Sequence, residues 1–146
     1  MTKNRHGGHT VADLTKANLG TFLGTKLPGI LSSPEAELKS QIIDAFYEFD
    51  KELPNLNPSG GRLNSGCTVT GVLMNSTSVI TINIGDSQTI LIKNKSSIFK
   101  TKNHKPNNRD EAERIRNAGG FVGGRYVPRV NGILGLGTRY YKIVIF

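Results

Sequence analysis

The sequence has no tryptophan, two methionines and a single cysteine in 146 residues. One thiol cannot close an internal disulfide, so burial alone must hold the fold, and this usage fits a reducing compartment, cytoplasmic or nuclear. Long apolar runs are missing too: nothing approaches the ~20 residues that span a bilayer. The opening MTKNRHGGHT lacks the apolar stretch of a signal peptide. Secretion and membrane insertion are therefore disfavoured. Acidic residues are scarce, eleven against nineteen Lys and Arg, for a net charge of +8. That excess attracts anions without naming one. The basic residues are scattered and no aromatic platform interleaves with them, which argues against nucleic acid as the partner. With 36% hydrophobic residues over residues 1–146, the chain has the size and core content of one domain.

What is present reads first as helix. Val11, Ala12, Leu14, Leu19, Phe22 and Leu23 recur at rough helical spacing after Gly7-Gly8 and predict a first amphipathic helix over 10–23, followed by a loop, TKLPGILSS. Ser33 is placed to cap a second helix, with Pro34 at its first position and Glu35 and Glu37 facing the positive end of the dipole. Leu38, Ile42, Ala45, Phe46 and Phe49 form its apolar face, and Pro54 ends it. The stretch 55–64 is a loop.

The period then changes to that of strands. CTVTGVLM (67–74), SVITINI (78–84) and QTILIK (88–93) are rich in β-branched residues, are separated by turn residues, and predict an antiparallel meander. Residues 97–101 add a fourth short strand after Asn94-Lys95. Asn107 or Asn108 caps a helix through Arg109–Arg116 that stops at Gly119-Gly120. Glycines cluster from Gly119 to Gly137, seven of the 17, and read there as turns and close backbone approaches. The tail YYKIVIF is β-prone and lacks a polar terminator, so an exposed sheet edge and self-association follow from it.

Four short signatures stand in one order: Arg5-His6-Gly7-Gly8, Ser65-Gly66-Cys67-Thr68, Gly85-Asp86-Ser87, and Asn103-His104-Lys105-Pro106 followed by Glu113-Arg114-Ile115 and Gly119-Gly120. Arg129-Val130-Asn131-Gly132 and Thr138-Arg139 continue the series. Together, from about His6 to Arg139, they closely resemble the PPM-type (type 2C) metal-dependent protein serine/threonine phosphatases. The resemblance implies an α+β fold in which antiparallel sheets pack as a β-sandwich flanked by helices. It implies hydrolysis of phosphoserine and phosphothreonine esters of a phosphoprotein substrate, with Mg²⁺ or Mn²⁺ as cofactor. Oxygen ligands suit both ions, and two cations must share one hydroxide.

Position by position, the family's first motif, D-G-H-G-G, reads Asn4, Arg5, His6, Gly7, Gly8 here. The resemblance assigns His6 as general acid for the leaving alkoxide. Asn4 is neutral where a bridging carboxylate is wanted, and Arg5 places a cation beside a site for cations, so metal binding is expected to be weak or absent. Asp86, in the G-D-S turn, is the remaining metal-ligand candidate by resemblance; Gly-Asp-Ser between strands is equally ordinary turn chemistry. Asn103 stands where the family has the Asp of D-H-K-P, and His104 reads as a loop residue that marks the fold. Cys67, at the start of an apolar strand with no base beside it, is an unsuitable nucleophile. Ser65 lacks the flanking glycines of a nucleophile elbow. No G-x-x-G pattern follows a strand and opens a helix, which argues against a dinucleotide site. After R-V-N-G the sequence ILGLGTR begins the family's continuation and then diverges into YYKIVIF. The chain therefore reads as the central portion of a family domain, truncated at both ends, with a non-catalytic pseudophosphatase that binds phosphoproteins as the alternative.

Overall fold

The computed structural model describes residues 8–60, 63, 65–74, 78–124, 127–131 and, for the backbone, 142–145. Their elements are α1 (Thr10–Leu31), α2 (Glu35–Glu52), β1 (Val69–Met74), β2 (Val79–Ile84), β3 (Ile90–Lys93), β4 (Ser96–Lys100), α3 (Arg109–Asn117), β5 (Val122–Gly123), β6 (Arg129–Val130) and β7 (Lys142–Ile145). The class is α+β, as the sequence pattern predicts. The chain divides into two compact units, Met1–Thr68 with Leu73–Ile80 and Ile143–Phe146, and Val69–Val72 with Thr81–Lys142.

The first unit is built on α1 and α2. On α2, Leu38, Ile42, Ala45, Phe46 and Phe49 are buried, the five residues the helical spacing selects. Phe49 meets Phe22 of α1 edge to face, with ring centroids 5.3 Å apart and planes at 61°. Lys26 stands 5.1 Å from the centre of the Phe22 ring and its ammonium also pairs with Glu48. These contacts explain why α1 outruns its predicted end at Leu23 and carries Pro28 inside it. The proline removes one backbone donor, but Leu27, Ile30 and Leu31 are all half-buried, and ending the helix at Leu23 would forfeit that packing. Ser33 does not cap α2. Its hydroxyl donates to Gln41 Oε1 at 2.8 Å, and Pro34 takes the N-cap position instead.

In the second unit β3 and β4 pair antiparallel, joined by Asn94 and Lys95, which both take positive φ (52° and 63°). Two successive left-handed residues match the right-handed twist of a hairpin. The register shifts between Leu91 and Ile92, so Ile98 is an extra residue on β4. The predicted four-strand meander is interrupted: β3 and β4 form their own two-stranded sheet, while β1, β2 and β7 form another in the order β1-β2-β7. The physical reason is that β7, distant in sequence, takes the second edge of β2, so β3 begins a separate hairpin beyond the Gly85–Ser87 turn. Irregular backbone extends that hairpin: Thr101 N–H donates to Thr89 O at 3.0 Å and His104 N–H to Gly85 O at 3.0 Å. β2 is buried at four successive positions, Ile80 to Asn83, as a strand covered on both faces must be.

α3 carries Glu111 and Arg114 as a buried bidentate ion pair, with Arg114 Nε 3.0 Å from Glu111 Oε2. After it, β5 and β6 form a short antiparallel hairpin in which Val122 faces Val130. Gly124, at φ +115°, is required there: a Cβ would lie 2.1 Å from Val127 O.

Candidate functional site

Two of the motifs, Gly85-Asp86-Ser87 and Asn103-His104-Lys105-Pro106, meet at the end of β2. Asn83, fully buried, donates its amide to Gly85 O at 3.3 Å and Lys102 O at 3.2 Å. Gly85 adopts φ +94°, a conformation that favours glycine. Its N–H donates to His104 Nδ1 at 3.3 Å and its carbonyl accepts from His104 N–H. Reciprocal bonds thus tie the G-D-S turn to the N-H-K-P loop, and His104, 7% exposed, is a structural clasp as its loop reading implies. Because Nδ1 accepts from a backbone N–H, the ring is held as the tautomer protonated on Nε2. Thr101 completes the clasp: Thr89 N–H donates to its hydroxyl at 2.8 Å. On the far side of the loop, Asn108 stands at the N-cap of α3 as the sequence predicts, but its amide donates to Asn103 O and makes no side-chain bond to the first turn.

Asp86 sits in this turn, half-buried, and its Oδ1 is shielded from solvent without a hydrogen-bond partner. The side-chain oxygens of Asn83 and Asn103 are in the same condition. A buried acceptor without a donor is costly unless something satisfies it. For Asp86 that is compatible with a ligand oxygen for a hard cation. Asn103 contributes an amide where the family motif has a carboxylate, and so adds no charge. Among the described residues no three His, Cys, Asp or Glu stand together as a metal cluster. The described residues alone therefore do not fit a two-metal centre.

His6, with Asn4 and Arg5, lies outside the described residues, and so do Gly132 and residues 133–139. The structure brings Asp86 and His104 onto one clasp and leaves the association of Asp86 with His6 undescribed. Cys67 lies between the strand start and α1, where its thiol donates to Thr15 Oγ1 at 3.4 Å. Burial pushes the thiol up from its ordinary value, the Thr15 contact partly offsets this, and Asp50 adds to the rise. A protonated thiol is a poor nucleophile. Ser65 is likewise engaged, accepting from Val11 N–H at 3.1 Å.

Asn83 and Thr101 were not singled out by sequence reasoning. The available signal was a lone amide inside the β-branched run VITINI, since a buried polar side chain needs hydrogen-bond partners and so points to a local network. Asn131, inside the R-V-N-G segment, has a similar role: its Oδ1 accepts from Phe121 N–H at 3.1 Å and its own N–H donates to Phe121 O at 2.8 Å.

A clasp built from N-x-G-D-S and N-H-K-P in an α+β scaffold defines a class of chain, and comparison with known proteins supplies the family. The model of the family described as Protein phosphatase 2C matches residues 2–139. The chain is 35% identical to Protein phosphatase 1B of Rattus norvegicus over 95% of its own length and 38% of the relative's. It is 33% identical to Probable protein phosphatase 2C 69 of Arabidopsis thaliana over 92% of its length and 36% of that protein's. To Protein phosphatase 1A of Bos taurus it is 38% identical over 80% of its length and 31% of that protein's. The chain belongs to the protein phosphatase 2C family, and it spans well under half the length of each of these relatives.

Proposed function

We propose that residues 1–146 form a single PPM-type phosphatase-like domain, the central portion of the family β-sandwich, whose inherited reaction is hydrolysis of phosphoserine and phosphothreonine esters and whose metal centre is impaired. The observation that carries this reading is the substitution at the first motif, Asn4-Arg5-His6-Gly7-Gly8. A bridging carboxylate is replaced by a neutral amide, and a cation enters where two cations must sit. Coulomb repulsion and the loss of a charged oxygen ligand act in the same direction. When bound, Mg²⁺ or Mn²⁺ would supply a polarised phosphoryl oxygen and an acidified water. In this chain Asp86 would hold an ion through its unpartnered Oδ1, His6 would deliver a proton to the departing alkoxide, and the His104–Gly85 clasp would fix the Asp86 turn.

Arg5 favours a second reading. A site that loses carboxylates and gains a guanidinium can hold a phosphate by charge-assisted hydrogen bonds, which is what a pseudophosphatase binding phosphoproteins needs. Under either reading the partner is a phosphoprotein, not nucleic acid and not a membrane, in the cytoplasm or nucleus. No helix among the described residues is long and apolar enough to cross a membrane. Self-association belongs to the proposal too. Among the described residues β1 is the outer strand of its sheet, and it carries Met74 at 75% exposure, the kind of edge that pairs with another chain.

Mn²⁺ titration by calorimetry tests the metal claim. Binding should be millimolar or absent, and any weak binding should vanish in Asp86→Ala. Two tight sites would overturn it, and weak binding indifferent to Asp86→Ala would return Asp86 to the role of a turn residue. A phosphopeptide that binds without turnover, and loses affinity in Arg5→Gly, would decide for the pseudophosphatase.

A further inference from the structure

Among the described residues three buried side-chain oxygens have no hydrogen-bond partner, and all three belong to the clasp: Asn83 Oδ1, Asp86 Oδ1 and Asn103 Oδ1. Asn83 joins the other two. Its amide nitrogen donates to the carbonyl of Gly85, the residue before Asp86, and to that of Lys102, the residue before Asn103. Those two bonds also fix which end of the amide is oxygen, because turning the group over would set Oδ1 against two carbonyl oxygens. The unanswered acceptor on the fully buried Asn83 is therefore a property of the fold.

Three acceptors at one junction require something that answers all of them. The neighbouring lysines do not: Lys102 turns to Asp110, 3.1 Å away, and Lys105 is exposed. A single water donates two hydrogen bonds and leaves one acceptor over. A cation has no such limit, since carboxylate and amide oxygens together can replace its hydration shell. The charge of the set selects the ion. Asp86 brings one negative charge and the two amides bring none, so a singly charged ion is neutralised, whereas a divalent ion would leave an excess positive charge in a buried place.

We infer that the junction of the G-D-S turn and the N-H-K-P loop is a structural site for an alkali-metal cation, sodium or potassium, with Asn83 Oδ1, Asp86 Oδ1 and Asn103 Oδ1 as its side-chain ligands. Such an ion links the end of β2 to the loop in addition to the two His104 bonds. All of its side-chain oxygens come from residues 83–103, so no other part of a larger domain is needed to form the site. It shares Asp86 with the divalent ion of the proposed function but does not rest on that reading, because neither His6 nor the Asn4-Arg5 substitution enters it.

The test follows thermal unfolding of the full 146-residue chain by circular dichroism, after a chelating resin has removed divalent ions. Potassium, sodium and choline chloride are compared at equal ionic strength, choline being too large for a buried site. Tm should be higher in at least one alkali salt than in choline chloride by about 2–4 °C, by mass action on the folded state. Asp86→Asn keeps the shape, loses the charge and should erase the difference. Asn103→Asp adds a carboxylate and should enlarge it. Equal midpoints in the three salts overturn the inference, and this comparison needs only the wild type. So does a difference that Asp86→Asn leaves intact, or an Asn103→Asp chain destabilised alike in all three salts, the mark of a junction closed by water or by amide contacts. Stabilisation by calcium chloride but by neither alkali salt overturns the assignment of a singly charged ion. Neither Mn²⁺ binding nor phosphatase activity is read, so failure of the phosphatase reading leaves this outcome untouched.

Discussion

Gly85 and His104 owe their neighbours to each other. Gly85 supplies a positive φ that places its N–H and C=O toward the incoming loop, and His104 answers both with a ring nitrogen and a backbone N–H. A histidine in a metal-enzyme motif invites a catalytic reading, yet an imidazole committed to a buried N–H has no free lone pair at that nitrogen to act as a base. Cys67 illustrates the same restraint with a measurable sign. Burial raises its thiol above the unfolded value, so the folded state prefers the protonated form. The resulting stabilisation is complete below the ordinary thiol range and is lost as pH rises through the raised, folded value. The stability advantage of wild type over Cys67→Ala, measured by urea denaturation, should therefore narrow between pH 8 and strongly alkaline pH, by linkage. Iodoacetamide should also alkylate the folded chain more slowly than the urea-unfolded chain. A widening gap, or faster alkylation when folded, would show an activated thiol.

The α1–α2 pair gives the clearest passage from pattern to energy. Phe49 is 4% exposed and meets Phe22 edge to face, so Phe49→Ala removes both a buried ring and an aromatic pair and should cost about 3–5 kcal/mol by urea denaturation. A loss below about 1 kcal/mol would mean that the two helices do not melt with the rest. The buried face of α2 was legible because five apolar residues at helical spacing admit one arrangement. The end of α1 was not, since Pro28 and Gly29 are local stop signals and only packing outweighs them. β1 to β4 were legible to within two residues from their β-branched content, but their sheet was not, and the short β5 and β6 fell in the glycine-rich stretch that reads as turns. Periodicity states which residues share a face, whereas the break after β2 depends on β7, distant in sequence, taking the second edge of β2. At the candidate site, Asp86 and His104 were found through motif order, while Asn83 and Thr101 act through hydrogen bonds that no short motif encodes.

Taken whole, the chain holds the family's order of motifs over residues 2–139 while spanning 38% of the length of its rat relative, and the two facts bear differently on fold and on chemistry. Helix packing and the Gly85–His104 clasp are local and need only residues that are present. Metal chemistry is collective: two ions sharing one hydroxide require several carboxylates at once, and each missing ligand raises the electrostatic cost of holding the others' cation. Restoring Asn4→Asp with Arg5→Gly rebuilds the first motif, yet Ile133–Phe146 contains no Asp or Glu to stand for the later aspartates that the family resemblance assigns to the metals. The double variant should therefore bind Mn²⁺ somewhat better than the wild type and still fail to hydrolyse a phosphothreonine peptide. Joining the repaired chain to the flanking segments of a full-length relative should confer Mn²⁺-dependent turnover, because Asp86 and the clasp that orients it would then meet the remaining ligands. Turnover by the double variant alone would place the missing carboxylates within these 146 residues. Turnover by the unmodified chain, abolished by His6→Ala, would show that Asn4 and Arg5 do not impair the centre at all.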